Sequence, residues 1–230
     1  GSNLDRKYLY QLISFNKIMR NRNQLLFQLK RGENIDLAVW NSQLAKAASY
    51  IWHSRRELIS KLNEILKRLG KKVAKTELKL EYNTPLIKDS KAKTEEYYIK
   101  QLNAVLAEEI HRTTTQLGPH RDDFKIISEE EKGGKIITKD LTIYGSRGEQ
   151  RAASLALKLS EVNLIRQDTH NQPTMLLDEV LSELDTTHRK LLLNQLRGQQ
   201  TFITSTSLTP IREVLGETFS ALEIKEGEAN

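Results

Sequence analysis

The sequence has no cysteine, which excludes disulfides and thiolate metal centres and fits a reducing compartment. No apolar run approaches the roughly 20 residues a membrane span needs, and no signal-peptide pattern opens the chain. Repeats and low-complexity tracts are missing too, which argues against solenoids and long disordered linkers. A further absence bears on chemistry. No GxxxxGKS/T occurs, and the one Gly-Gly-Lys, Gly133 to Lys135, lacks the upstream glycine and the Ser/Thr that a phosphate-cradling loop requires. The chain by itself is therefore expected to show no triphosphate hydrolysis. Gly1-Ser2 reads as a scar of tag removal and says nothing about the fold.

What is present is basic and unevenly so. The 230 residues carry a net charge of +6, and their number allows one good core with an appendage, or two small domains. Residues 1–112 hold 22 Lys/Arg against 12 Asp/Glu, a net +10, and residues 113–230 hold 14 against 18, a net −4. A basic half points to a polyanion, with a solvated lysine-rich helix face as the plainer alternative.

Apolar residues recur at helical spacing from Leu4 to Leu29, and Gly32 breaks the run. A second long helix is expected after Asp36, with Asp36 as N-cap, Trp40 and Trp52 in its packing stripe and Gly70 as its stop. The two read as an antiparallel pair. Glu77 to Tyr82 alternates as a half-exposed strand ended by Asn83-Thr84-Pro85; Lys88 to Lys93 is a loop, and Thr94 to Arg112 a helix. The texture changes at Gly118-Pro119, so the chain divides into a helical domain, 3–112, and a second domain, 113–230. In the second, Phe124 to Ile127 and Lys135 to Thr138 read as strands joined by an acidic turn ending in Gly133-Gly134. Leu141 to Tyr144 continues the sheet, Arg151 to Arg166 is a buried helix, Thr186 to Leu196 another, and Thr201 to Thr204 and Leu222 to Lys225 are further strands. Alternating strands and helices imply an α/β layer structure.

Two stretches carry chemistry. Met175 to Leu177, opened by Pro173, reads as a strand buried on both faces with Asp178 and Glu179 at its tip; on an extended backbone the two acids diverge, so one can hold a metal while the other orients a water. A strand that merely ends in solvent is the bland alternative. Gly145 to Gln150 pairs glycines that admit a ligand to the backbone with the Ser146 hydroxyl and the N-terminus of the following helix, which suits a phosphate; a simple strand-to-helix turn would use the same residues.

In this order, with a helix between them, the stretches resemble the ABC-type ATPases of chromosome maintenance. Gly145-Ser146-Arg147-Gly148-Glu149 is similar to the signature loop, Met175 to Glu179 to Walker B with its following glutamate, and Ser182-Glu183-Leu184-Asp185 to the D-loop. Gly118-Pro119-His120-Arg121-Asp122-Asp123, Leu177 to Asp185 and Thr201 to Ser207 narrow the resemblance to the RecF family of recombination mediators. The likeness runs almost continuously through residues 113–230, and residues 3–112 resemble that family's helical arm more loosely. The implied fold is the C-terminal lobe of an ABC-type ATPase head with an inserted, mainly helical arm, the P-loop lobe being absent from this sequence.

The resemblance implies roles. Asp178 would hold Mg²⁺ and Glu179 would be the catalytic residue, acting on the water that attacks ATP. Ser146, Arg147, Gly148 and Glu149 would meet the γ-phosphate of ATP held by a second copy, with Ser182 and Asp185 of the D-loop near the shared interface. Asp185 also suits an N-cap for the helix at Thr186. Where many ABC ATPases place a switch histidine this sequence has Ser205 and Thr206. Implied partners are duplex DNA, a second copy bound through ATP and mediator proteins such as RecR, with no membrane, in a bacterial cytoplasm. Arg55, Arg56, Lys67, Arg68, Lys71, Lys72 and Lys75 are the candidate DNA contacts, chosen by clustering. Another SMC-related or transporter-type ATPase and a non-catalytic scaffold are the alternatives. His53, His111, His170 and His188 read as surface residues, and His120-Arg121 as turn polar groups or a site.

Overall fold

The computed structural model of the chain describes residues 6–82, 84, 86–196, 198–216, 218–225 and 228–229. Leu4, where the first helical pattern starts, and Asn83 and Pro85, which the sequence places at a strand end, lie outside them. The chain opens with two long helices, α1 (Arg6–Lys30) and α2 (Ala38–Val73). Arg22 bonds to Asn41 and Arg55 to Tyr8, so the helices run antiparallel. The helix-start donor of Ala38 is met by Asp36 Oδ1 at 2.8 Å, although Leu37 holds the N-cap position.

At ~1.5 Å per residue α2 is about 54 Å long, and it serves two cores. Its first half (Leu44, Ala48, Ile51, Trp52) packs with Phe15, Tyr98 and Leu102. Its second half (Leu62, Leu66, Leu69, Val73) packs with Leu78, Leu80 and the helix that follows the glycine loop. Gly70 is thus inside the helix and does not stop it. A Cβ there would lie 2.9 Å from both Leu78 Cγ and Thr76 O, so glycine is what lets α2 rest on the next strand. The helix ends three residues later, and Lys75 turns the chain with φ +57°.

That strand is β1 (Glu77–Tyr82), with Leu78 and Leu80 buried and Lys79 exposed. It pairs antiparallel with β2 (Phe124–Lys132), which pairs antiparallel with β3 (Lys135–Asp140), giving a three-stranded sheet in the order β1-β2-β3. Strand structure extends through the expected acidic turn to Lys132, and only Gly133-Gly134, at φ +61° and +75°, make the reversal. Between β1 and β2 lie α3 (Lys91–Ala104) and α4 (Leu106–Arg112). Ser90 caps α3, which starts three residues ahead of the expected Thr94, and the helix expected to be continuous breaks at Val105.

Leu141–Tyr144 does not continue the sheet. It forms a short helix, α5, because the Asp140 carboxylate caps it by accepting the Thr142 N–H. The helix α6 (Arg147–Thr169) starts four residues before Arg151 for a similar reason, a cap at Ser146. It buries Ala152, Ala153, Ala156 and Leu159 against the second half of α2. Strands β4 (Met175–Asp178) and β5 (Thr201–Thr204) pair in parallel, joined by a 3-10 turn (Val180–Glu183) and α7 (Thr186–Gln195). Contrary to expectation, β4 is not buried on both faces. Leu177 is 8% exposed but Leu176 is 75% exposed, and its register partner Phe202 is 60% exposed. A helix without a sequence-based expectation, α8 (Thr209–Leu215), has Pro210 in its first turn and packs Ile211 into the second core. The C-terminal segment pairs β6 (Ile224–Lys225) with β7 (Glu228–Ala229).

Candidate functional site

The parallel register sets Asp178 opposite Thr204 at the strand tips. Thr204 Oγ1 donates to Asp178 Oδ1 at 2.6 Å and accepts the Glu179 N–H at 3.0 Å. One hydroxyl therefore fixes both the first acid's side chain and the second acid's backbone. Glu179 sits at φ +52°, ψ +14°, a left-handed conformation that costs a side-chain-bearing residue on the order of 1 kcal/mol. Ser182 holds that turn, its Oγ donating to Glu179 O at 2.8 Å. The abrupt turn after the extended Asp178 is what separates the acids. Thr206 Oγ1 lies 3.4 Å from Glu179 Oε1, whereas Ser205 Oγ is spent on Ser207 O at 2.9 Å. Of the two expected switch hydroxyls, Thr206 reaches the acid and Ser205 does not. The role of Thr204 shows only once the strand register is known.

Asp178 is exposed and offers hard oxygen donors. Among the described residues no group of three or more His, Asp or Glu could hold a metal unaided. The donor set therefore fits magnesium carried mainly by phosphate and water, with one carboxylate from the protein.

The glycine loop is built differently. Gly145 is required locally, because a Cβ would fall 2.5 Å from Leu141 O. Gly148, on the exposed first turn of α6, has nothing within 4 Å of the same position. Among the described residues no contact calls for glycine there. Ser146 Oγ accepts the Glu149 N–H at 3.3 Å while Glu149 Oε2 accepts the Ser146 N–H at 2.7 Å, a reciprocal cap. Lys139 Nζ grips both Glu149 oxygens at 2.8 Å. Lys139, then the Ser146 backbone N–H, hold the Glu149 carboxyl at about 2. Glu149 is thus occupied in shaping the loop, and Arg147 and Gly148 present an exposed face.

Asp185 caps α7, accepting the His188 N–H at 2.9 Å, and its Oδ2 lies 2.7 Å from His188 Nδ1. The His188 backbone N–H, then its ring, lower the Asp185 carboxyl below the usual carboxylate value. His188 is no plain surface residue: its Nε2 donates to Val73 O, at the last residue of α2, at 2.8 Å. The turn after β4 is thereby tied to the end of the long helix.

The basic candidates separate by environment. Arg55 is turned inward, donating to Tyr8 Oη at 3.2 Å and to Pro119 O at 2.6 Å, with Asp122 at 3.7 Å. Lys67 and Lys71 both pair with Glu77, at 3.3 and 2.6 Å. Arg56, Arg68, Lys72 and Lys75 are exposed. The stretch from Gly118 to Asp123 is a latch. Asp122 Oδ2 accepts from Trp52 Nε1 at 2.5 Å and from Tyr82 Oη, and Tyr98 Oη donates to Leu117 O at 2.7 Å beside Gly118. His120 packs 5.7 Å from the Phe15 ring. A second latch, invisible in the sequence, is the fully buried pair of Arg22 and Glu109 at 2.6 Å, with Asn41 and Thr115 completing the guanidinium's bonds.

No family model matches the chain. Among curated proteins it is 37% identical over 210 residues to the DNA replication and repair protein RecF of Thermoanaerobacter sp. (strain X514), covering 89% of this chain and 55% of that protein. It is 33% identical over 232 residues to RecF of Alkaliphilus oremlandii (strain OhILAs), covering 99% and 61%. Among solved structures, that of the recombination mediator protein RecF-ATPrS in the RecFOR pathway aligns with a TM-score of 0.84 at 31% identity, over 98% of this chain and 59% of the other. A RecF-ATP structure aligns with a TM-score of 0.82 at 29% identity. The chain thus spans about three fifths of the length of these proteins. Sequence and fold agree along nearly the whole chain, and it belongs to the RecF family.

Proposed function

We propose that this chain supplies the arm and the acid-bearing lobe of a RecF-type protein that dimerises on DNA with ATP, hydrolyses it slowly and supports recombinase loading at gapped DNA. Residues 3–112 furnish the arm, rooted by the second half of α2 and by β1 in the lobe of residues 113–230. The observation that carries the reading is the Thr204 hydroxyl shared between Asp178 and Glu179. It sets one acid and turns the other, the division of labour phosphoryl transfer to water needs.

Glu179 orients the attacking water and takes its proton. Asp178 would hold Mg²⁺ through its carboxylate. When bound, that ion neutralises charge on the phosphates. Ser146, Gly148 and the α6 N-terminus meet the γ-phosphate of ATP bound by a second copy, where the open space at Gly148 lets the partner's nucleotide approach the backbone. Asp185 lies at the same junction and reaches the arm through His188. The glycine-rich cradle, absent from these 230 residues, comes from a P-loop lobe. Duplex DNA and a RecR-type mediator are the partners.

The test is phosphate release with and without a P-loop-bearing lobe. This chain alone is expected to be inactive and the assembled protein to turn over ATP, with Glu179→Gln slowing turnover on the order of 100-fold. Turnover by this chain alone, or turnover in the assembled protein indifferent to Glu179, would overturn the assignment.

A further inference from the structure

On the arm, away from the acids of β4, an open groove of ≈ 570 Å³ is lined by Tyr50, His53, Ser54, Arg56 and Lys91, with Glu57 the one carboxylate among its lining residues. Its cations are set in place. Lys91 Nζ lies 4.4 Å and Lys7 Nζ 5.0 Å from the centroid of the Tyr50 ring, so two ammonium groups lie against one aromatic ring. Ser49 Oγ ties the Lys91 carbonyl to α2 at 3.0 Å.

Arg56 is held by a chain of hydrogen bonds whose polarity is fixed. Thr94 Oγ1, fully buried, donates to Ser90 O at 2.8 Å. It therefore accepts from His53 Nε2 at 3.0 Å. That leaves His53 Nδ1 to accept from Arg56 Nη2, also at 3.0 Å. His53 is thus a neutral ring acting as acceptor for the guanidinium. Burial first, then the charges of Arg56 and Lys91, lower its pKa and favour that form. A neutral imidazole orients the guanidinium without compensating its charge, and Glu57 is shared with Lys61 at 3.9 Å.

We propose that this groove is a preorganised phosphate site on the arm, in which Arg56 and Lys91 take a backbone phosphate of a nucleic-acid strand. Rigid cations with their side-chain entropy already spent gain more from a phosphate than mobile lysines do. The proposal rests on DNA being a partner of the chain, and it moves the principal contact from the end of α2, where Glu77 already pairs with Lys67 and Lys71, to the hairpin of α1, α2 and α3.

The experiment is fluorescence anisotropy with a labelled duplex across a salt series. It compares the unsubstituted chain, Arg56→Gln/Lys91→Gln, Arg56→Lys, and Lys71→Gln/Lys72→Gln. The groove pair is expected to weaken binding at least about 5-fold and to lower the salt slope by about two, one for each cation removed. Arg56→Lys should weaken binding about 2-fold with the slope kept, because charge stays and the His53 bond goes. The helix-end pair should change both less than the groove pair does. If the unsubstituted chain binds and the groove pair matches it in affinity and slope, the groove proposal is overturned while the DNA reading stands. No binding by the unsubstituted chain overturns both. The His53 ring resonances, followed by NMR, should move with duplex and not with the same concentration of inorganic phosphate; movement with inorganic phosphate alone would make the groove a free-anion site and overturn the strand assignment. Unchanged circular dichroism of the variants, whose substituted side chains are exposed or lie at the groove, keeps the comparison clean.

Discussion

Thr204 is bonded to Asp178 across the tips of two parallel strands, Oγ1 to Oδ1 at 2.6 Å, and the same oxygen accepts the Glu179 N–H at 3.0 Å. Removing the hydroxyl frees both acids at once. In a protein that also carries the P-loop lobe, Thr204→Val should lower ATP turnover at least about tenfold, some 1.4 kcal/mol of barrier. Thr204→Ser, which keeps the hydroxyl, should restore most of it. The strand tip is exposed, so unfolding free energy should change by no more than about 1 kcal/mol. Turnover in Thr204→Val equal to that of the parent would show that Asp178 and Glu179 are positioned by something else.

The two acids should give different phenotypes. Glu179→Gln should leave ATP binding intact and slow hydrolysis on the order of 100-fold, so that ATP-bound dimers accumulate in light scattering. Asp178→Asn should weaken the magnesium-dependent part of binding. Glu179→Gly removes the acid and also relieves the φ of +52°, so it should be inactive yet melt no lower than the parent. Equal loss of binding in the first two variants would make the pair structural.

Gly70→Ala tests a glycine whose reason is packing. Inside an exposed helix the change would gain up to about 1 kcal/mol. Here the new methyl would stand 2.9 Å from Leu78 Cγ and from Thr76 O, and the backbone oxygen is not free to withdraw. Urea unfolding should show a net loss of about 1–3 kcal/mol.

Gly70 also shows where the sequence stops being legible. Helical periodicity and strand alternation mark α1, α2, β1 and β5, because an amphipathic element carries its burial in its own spacing. Gly70 and Leu176 break that logic. One reads as a stop and is a contact; the other reads as core and is 75% exposed. Both depend on what lies across the packing, which no local pattern records. Short polar residues mislead in a related way. Asp140 and Ser146 start helices at residues that a pattern of apolar side chains assigns to strand or loop. At the site, the acids and the glycine loop stand out by motif, whereas Thr204, His188 and the Arg22–Glu109 pair are functional or structural only through partners 26, 115 and 87 positions away.

That pair gives a stability prediction. Arg22 and Glu109 are both fully buried and 2.6 Å apart, and Glu109 Oε1 also accepts the Gln116 N–H at 2.7 Å. Arg22→Met leaves a buried carboxylate without its cation and should cost about 3–5 kcal/mol. The double variant Arg22→Met/Glu109→Gln should recover part of this loss. Thermal unfolding of the parent, Arg22→Met, Glu109→Gln and the double variant measures the coupling, and additive losses would show that the charges act independently.

Ser146 has two duties, and they can be separated. As N-cap of α6 it accepts the Glu149 N–H, so Ser146→Ala should cost about 1 kcal/mol. As part of the proposed trans face it lies where a partner's γ-phosphate approaches. Ser146→Asp keeps a capping oxygen and adds negative charge there, so it should melt within about 1 kcal/mol of the parent while abolishing ATP-driven dimerisation. Ser146→Arg loses the cap and fills the space, and should fail on both counts. The cap itself has a pH signature through Glu149, whose carboxyl is held at about 2 in the folded chain against an ordinary 4.5. A depressed carboxyl contributes stability above its unfolded value and loses it as pH falls through the folded one. The melting temperature should therefore drop between pH 4.5 and about 2 by more in the parent than in Glu149→Gln. A Ser146→Asp protein that stays folded and still dimerises with ATP would remove the glycine loop from the interface and leave it a helix cap alone.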